Sequence, residues 1–227
     1  MSLWVRLRDF LRSLGEGASL DAALEKLRRE PEHTVAFAIA VIALGAKMAK
    51  ADGRVTHDEI AAFREVFHIP KGEEVAAARL YNMARRDVAG FDSYARQVAR
   101  MFRHRPGALA DLLEGLVYIA VADGVYHPQE AAFLEEVAAI FGVPEEEFRS
   151  IRARYLPGER DPYAVIGVDP GASPEEIRRH YRRRVRELHP DQMLARGVPE
   201  EARRLAEQRL AAVNAAYEEI RQARADA

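Results

Sequence analysis

The chain contains no cysteine among its 227 residues. Disulfides, thiolate nucleophiles and thiolate metal sites are thereby excluded, and a cytoplasmic, reducing compartment is the simplest expectation. An excess of charge of one sign is also missing. The 34 lysines and arginines face 36 aspartates and glutamates, a formal net charge of -2. No chain-wide attraction to nucleic acid or anionic lipid follows, so an electrostatic partner has to be met by a local patch. The 7 histidines include no pair four apart with a carboxylate between, which argues against a zinc hydrolase. Long hydrophobic runs are absent too. The longest apolar stretch, Val35 to Ala46 (VAFAIAVIALGA), ends at Lys47, short of the roughly 20 residues that cross a bilayer, and reads as a buried core helix. The N-terminus carries arginines but no apolar h-region, which argues against a secretory signal.

What is present is helical periodicity. Apolar residues recur at spacings of three and four, with breaks at Gly, Pro or Asp-Gly and no sustained alternation of period two, so the fold class is all-α. Residues 1–30 read as leader helices. Leu3, Trp4, Leu7, Phe10, Leu11 and Leu14 share one face, with Arg6, Arg8, Asp9 and Arg12 outside it. Such a segment docks on the protein or lies on a membrane surface, giving a peripheral place at the inner membrane; docking is the favoured reading. Gly15 and Gly17 end it, and Ser19 caps a second helix reaching about Arg29.

Residues 31–156 contain an internal echo. Met48 to Pro70 (MAKADGRVTHDEIAAFREVFHIP) and Ile119 to Pro144 (IAVADGVYHPQEAAFLEEVAAIFGVP) both run from an apolar helix end through Ala-Asp-Gly to a second apolar helix before Pro. Two duplicated helix-turn-helix units closing into one bundle account for this. Asp52 and Asp123 are weak metal candidates, because a calcium loop needs alternating oxygen ligands with glycine at its sixth position, whereas Gly53 and Gly124 follow the aspartates directly. The turns instead look structural: a left-handed glycine, then Thr56 with Glu59 as a capping box in the first copy, and Pro128 with Glu130 opening the next helix in the second.

A linker at RYLPGERDPY, interrupted by Pro157, Gly158 and Pro162, opens a second domain, residues 161–227, with limited but real freedom. Ser173-Pro174-Glu175-Glu176 starts a helix whose apolar seam is Ile177, Tyr181, Val185 and Leu188. Arg178, Arg179, Arg182, Arg183 and Arg186 form a stripe largely opposite the seam, and Arg184 flanks it. Pro190 stops the helix and leaves His189 and Asp191 on a loop. A last helix, roughly Glu200 to Arg221, offers Ala202, Leu205, Leu210, Val213, Ala216, Tyr217 and Ile220 as its core face, completing an antiparallel finger.

Asp161-Pro162-Tyr163, Ile166-Gly167-Val168, the basic helix ending in His189-Pro190-Asp191, and VNAAYEEI in the last helix resemble a DnaJ J-domain over its full length. The stretch after the tripeptide further resembles the DjlA branch, in which a TerB-like helical domain precedes a C-terminal J-domain. The resemblance covers about residues 34–227. It implies a co-chaperone without enzymatic activity or cofactor of its own. His189, Pro190 and Asp191 would trigger ATP hydrolysis by a DnaK-class chaperone. Arg178, Arg179, Tyr181, Arg182, Arg183 and Arg186 would dock on that partner's acidic ATPase domain, and residues 31–156 would bring an unknown client or regulatory partner. Relatives in this branch often begin with a membrane-spanning helix. This chain has only the amphipathic segment 3–14, so no anchor is implied. Arg184 and Gln192 depart from the usual pattern and bear on partner choice. The rival functions are an anionic-surface or nucleic-acid binder using residues 177–188, or a helical scaffold. Nucleic acid is disfavoured by 12 arginines against 12 carboxylates in residues 161–227.

Overall fold

The computed structural model describes residues 2–15, 18–29, 33–51, 69–70, 72–86 and 90–225. Their regular structure is helical throughout. Alternating alanine with large apolar residues makes α3 (His33–Ala51) apolar on every side, the pattern of a helix enclosed by neighbours. Val35, Phe37, Ile39, Val41, Ile42 and Leu44 are all buried. Packed around α3 are α1 (Leu3–Ser13), α4 (Glu74–Arg86), α5 (Phe91–Met101), α6 (Pro106–Ala120) and α7 (Pro128–Phe141). α2 (Leu20–Arg29) lies on α4, and α8 (Glu145–Tyr155) closes the bundle against α6. Among the described residues no helix is long and apolar enough to cross a membrane.

α1 docks on the protein. Leu3, Trp4, Leu7 and Leu11 sit in the core, and burying each leucine stabilises by about 1.5–3 kcal/mol. Ser19 Oγ accepts the Ala22 N–H at 3.2 Å as the cap of α2. The first Asp-Gly turn, with Asp52, Thr56 and Glu59, lies outside the described residues. In the second, Gly124 takes φ +82°, a left-handed conformation that glycine adopts without Cβ strain. Asp123 Oδ1 accepts the Val125 N–H at 2.9 Å, so this carboxylate closes a turn. Pro128 occupies the first position of α7, and the His127 N–H donates to Glu130 Oε2 at 3.1 Å.

Beyond a 3₁₀ turn at Pro157–Glu159 come α9 (Pro162–Ile166), α10 (Pro174–Glu187), α11 (Pro190–Ala195), a second 3₁₀ turn at Glu200–Ala202 and α12 (Arg203–Ala225). α12 starts later than the periodicity suggests, because Ala202 N–H closes a short bond to Pro199 O before the α-helical pattern begins. Tyr181 stacks on Tyr217, and Arg224 donates to Ala172 O. These pairings run in opposite chain directions, so α10 and α12 are antiparallel.

The two apolar cores do not respect the linker. Ala153 of α8 packs with Ala164, Val165, Ile166, Ile177, Leu188, Val213, Ala216 and Ile220. In return, Met193, Val198, Ala202 and Ala206 belong to the core built on α3 and α6. The two halves thus share packing across the linker. Leu3 N–H adds a further tie, donating to Glu201 Oε1 at 2.9 Å.

Candidate functional site

α10 begins with a reciprocal cap. Ser173 Oγ accepts the Glu176 N–H at 3.3 Å, and Glu176 Oε2 accepts the Ser173 N–H at 2.9 Å. That backbone bond, followed by the one from the Ser173 hydroxyl, holds the exposed Glu176 carboxyl below its usual value. A firm start sets the phase of everything downstream. Ile177 and Leu188 are buried on the seam, with Tyr181 and Val185 half-buried. Arg178, Arg179, Arg182, Arg183 and Arg186 are all exposed. The structure thus brings the five together on one solvent face, where Arg178, Tyr181, Arg182, Val185 and Arg186 line a shallow open depression.

Tyr181 is held more tightly than its place on the seam suggests. Its ring stacks on Tyr217 with centroids 4.1 Å apart and planes 11° from parallel, and its hydroxyl donates to Asn214 Oδ1 at 3.0 Å. The ring is thus a fixed apolar floor between guanidiniums. Arg184, which flanks the seam, turns inward. It is buried, and it donates through Nη1 to Glu147 Oε2 of α8 at 2.6 Å and through Nε to Ile166 O at 3.3 Å.

His189 and Asp191 do not lie on an open loop. His189 is the N-cap of α11, Pro190 its first residue and Asp191 part of its first turn. A proline costs nothing there, since the first helical N–H has no intrahelical partner. The Asp191 N–H donates to His189 Nδ1 at 3.3 Å. In the neutral ring this bond leaves the proton on Nε2. Both side chains remain open to solvent, His189 at 51% and Asp191 at 79%. A presented imidazole and carboxylate on a capped helix start suit a contact with a partner's polar surface.

Behind this tip lies a buried ionic cluster. Asp111 and Glu114 of α6 meet Arg154 and Tyr155 of α8, Arg209 of α12, and Arg196 just after α11. Arg154 grips Glu114 with two bonds of 3.0 and 2.8 Å, and Tyr155 Oη donates to Glu114 Oε1 at 2.7 Å. Arg209 Nη1 donates to Asp111 Oδ1 at 2.5 Å, while its Nε stands 2.9 Å from Glu114 Oε2. Burial alone would raise the Glu114 carboxyl, but the Arg154 and Arg209 guanidiniums more than offset it and hold it below its ordinary value. Burial likewise opposes the charge on Arg209, and Glu114 and Asp111 restore it. Burial, reinforced by Glu114, pushes the Tyr155 hydroxyl well up. Sequence reasoning passed over this cluster. Its signal was present on α12, where Ala206, Arg209, Val213, Ala216 and Ile220 follow a strict 3-4-3-4 seam with a charge among apolar residues. Asp123, the one described metal candidate, stands apart with His127 at 3.7 Å. Among the described residues no three metal-binding side chains gather.

Comparison with known proteins agrees with this architecture. The family model described as Tellurite resistance protein TerB matches residues 38–153, and the DnaJ domain model matches residues 161–225. The chain is similar to the Co-chaperone protein DjlA of Coxiella burnetii, 28% identical over 198 residues, covering 78% of this chain and 73% of that protein. The protein of the same name from Vibrio cholerae is 29% identical over 208 residues, covering 77% and 73%. That of Escherichia coli K12 is 26% identical over 202 residues, covering 77% and 74%. No solved structure matches the chain. With a TerB match over half its length and a DnaJ domain following it, the chain belongs to the DnaJ-family co-chaperones of the DjlA-like kind, a TerB-like helical domain followed by a C-terminal J-domain.

Proposed function

We propose that the chain stimulates ATP hydrolysis by a DnaK-class chaperone, with His189, Pro190 and Asp191 as the activating element and the stripe of Arg178, Arg179, Arg182, Arg183 and Arg186, with Tyr181, as the docking face. The observation that carries this reading is the exposed His189–Asp191 pair, capped at the end of a helix whose free face is arginine. Exposed guanidiniums speed and orient encounter with an acidic surface, and a fixed tip then makes the specific contact. The co-chaperone does no covalent chemistry. It shifts its partner's conformational populations by binding one state better than another.

Single-turnover ATP hydrolysis by the host's DnaK-class chaperone tests the reading. Wild type accelerates hydrolysis and His189→Gln does not, with both folded by circular dichroism; wild type without effect would overturn it. The first domain, residues 31–156, is assigned to holding a client. A denatured reporter protein then binds His189→Gln as tightly as wild type, and absence of binding to both would remove the client role.

A further inference from the structure

We infer that Arg196 is a positioning residue through which the TerB-like domain sets the geometry of His189-Pro190-Asp191; this rests on the co-chaperone reading and extends it. In an unbroken helix Glu187 O would accept an N–H four residues on, but the chain turns at His189 and Pro190. Arg196 Nη1 takes that place, donating to Glu187 O at 3.0 Å. Its Nε and Nη2 donate to the two oxygens of Asp111 at 2.8 and 3.1 Å. Its own backbone N–H closes α11 on Gln192 O and Met193 O, both at 3.1 Å. One side chain therefore fastens the end of α10 and the end of α11, the two flanks of the tripeptide, to a buried carboxylate on α6 of the TerB-like domain.

The attachment is built rather than incidental. Asp111 is 3% exposed and is held in turn by Arg209 Nη1 at 2.5 Å. Room for the Arg196 stem exists because residue 107, in the first turn of α6, is glycine. A Cβ there would stand 2.6 Å from Arg196 Cδ. A planar guanidinium suits this task, since one rigid fork satisfies a carboxylate bidentately and leaves a third donor for the carbonyl. A tip fixed this way makes its contact without first being ordered, and small misplacements of a reacting contact carry large rate costs.

The test uses the full chain and two readouts. Titrating wild type, Arg196→Ala and Gly107→Ala into single-turnover ATP hydrolysis separates docking from activation. Because the arginine stripe is untouched, the concentration for half-maximal effect stays near wild type, while maximal stimulation falls roughly tenfold. Gly107→Ala displaces the Arg196 stem without removing charge, so it gives the same pattern even if Arg196→Ala folds poorly. Native-state hydrogen exchange at residues 187–193 supplies the second readout, with amides exchanging roughly tenfold faster in both variants. Folded variants with wild-type maximal stimulation, or unchanged exchange at the tip, would overturn the inference. Failure of wild type itself to stimulate would overturn the co-chaperone reading instead, while hydrogen exchange would still decide whether Arg196 positions the tip.

Discussion

Arg209 of α12 and Glu114 of α6 meet across the junction of the two halves with Nε 2.9 Å from Oε2, their side chains 0% and 3% exposed. Removing Arg209 takes one guanidinium from two buried carboxylates at once, leaving Glu114 to Arg154 and Tyr155 and Asp111 to Arg196. Arg209→Ala should therefore cost about 3–5 kcal/mol. Because the cores interlock, both halves should melt together. Urea unfolding followed by the single tryptophan, Trp4, and by far-UV circular dichroism checks this, with coincident midpoints that move down together in the variant.

The same cluster gives the protein an acid limit. The Glu114 carboxyl is held below its ordinary value of 4.5 in the folded state. A depressed folded pKa contributes stability that is present above the unfolded value and lost as pH falls through the folded one. Stability should hold down to about pH 4.5 on this account and then decline. Glu114→Gln lowers the neutral-pH plateau and flattens that acid limb. Urea midpoints measured across pH 3 to 7, on the order of ten points, distinguish a flattened slope from a uniform loss.

Docking through the arginine stripe should be a matter of rate. Arg178, Arg182 and Arg186 are exposed beside the Tyr181 floor, where water and salt screen each charge. Arg182→Glu should slow association with the DnaK-class chaperone roughly three- to tenfold at low salt, with little change in dissociation. Stopped-flow association at increasing ionic strength checks it, and wild type should approach the variant as salt rises.

The arginine stripe and the Ile177–Leu188 seam were legible because helical periodicity fixes which residues share a face. The His189-Pro190-Asp191 turn was legible in part. Proline marks a helix stop and a first helical position equally well, and the short α11 has too few residues for a periodic signal. The partners of Arg209 were beyond reach. A charge on an apolar seam signals a buried counter-charge, yet Asp111 and Glu114 lie nearly 100 residues away, and only the packing of α12 on α6 joins them. The packing across the linker was hidden for a similar reason. Its Pro and Gly describe local backbone, whereas Met193, Val198 and Ala206 reach the α3–α6 core only through the tertiary fold.

Arg184 offers a control on this argument, since it repeats the chemistry of Arg209 at a wetter place. Its side chain is 10% exposed, but its partner Glu147 is 25% exposed and regains water once the arginine is gone. The residue also stands beside the apolar seam, against Ile166, where a leucine fits the surrounding chemistry. Arg184→Leu loses the bond to the Ile166 carbonyl and should cost about 1–3 kcal/mol, less than predicted for Arg209→Ala. Parallel urea curves for the two variants measure the difference. Equal losses would show that charge pairing itself, rather than the burial of the carboxylates left behind, sets the cost at this junction.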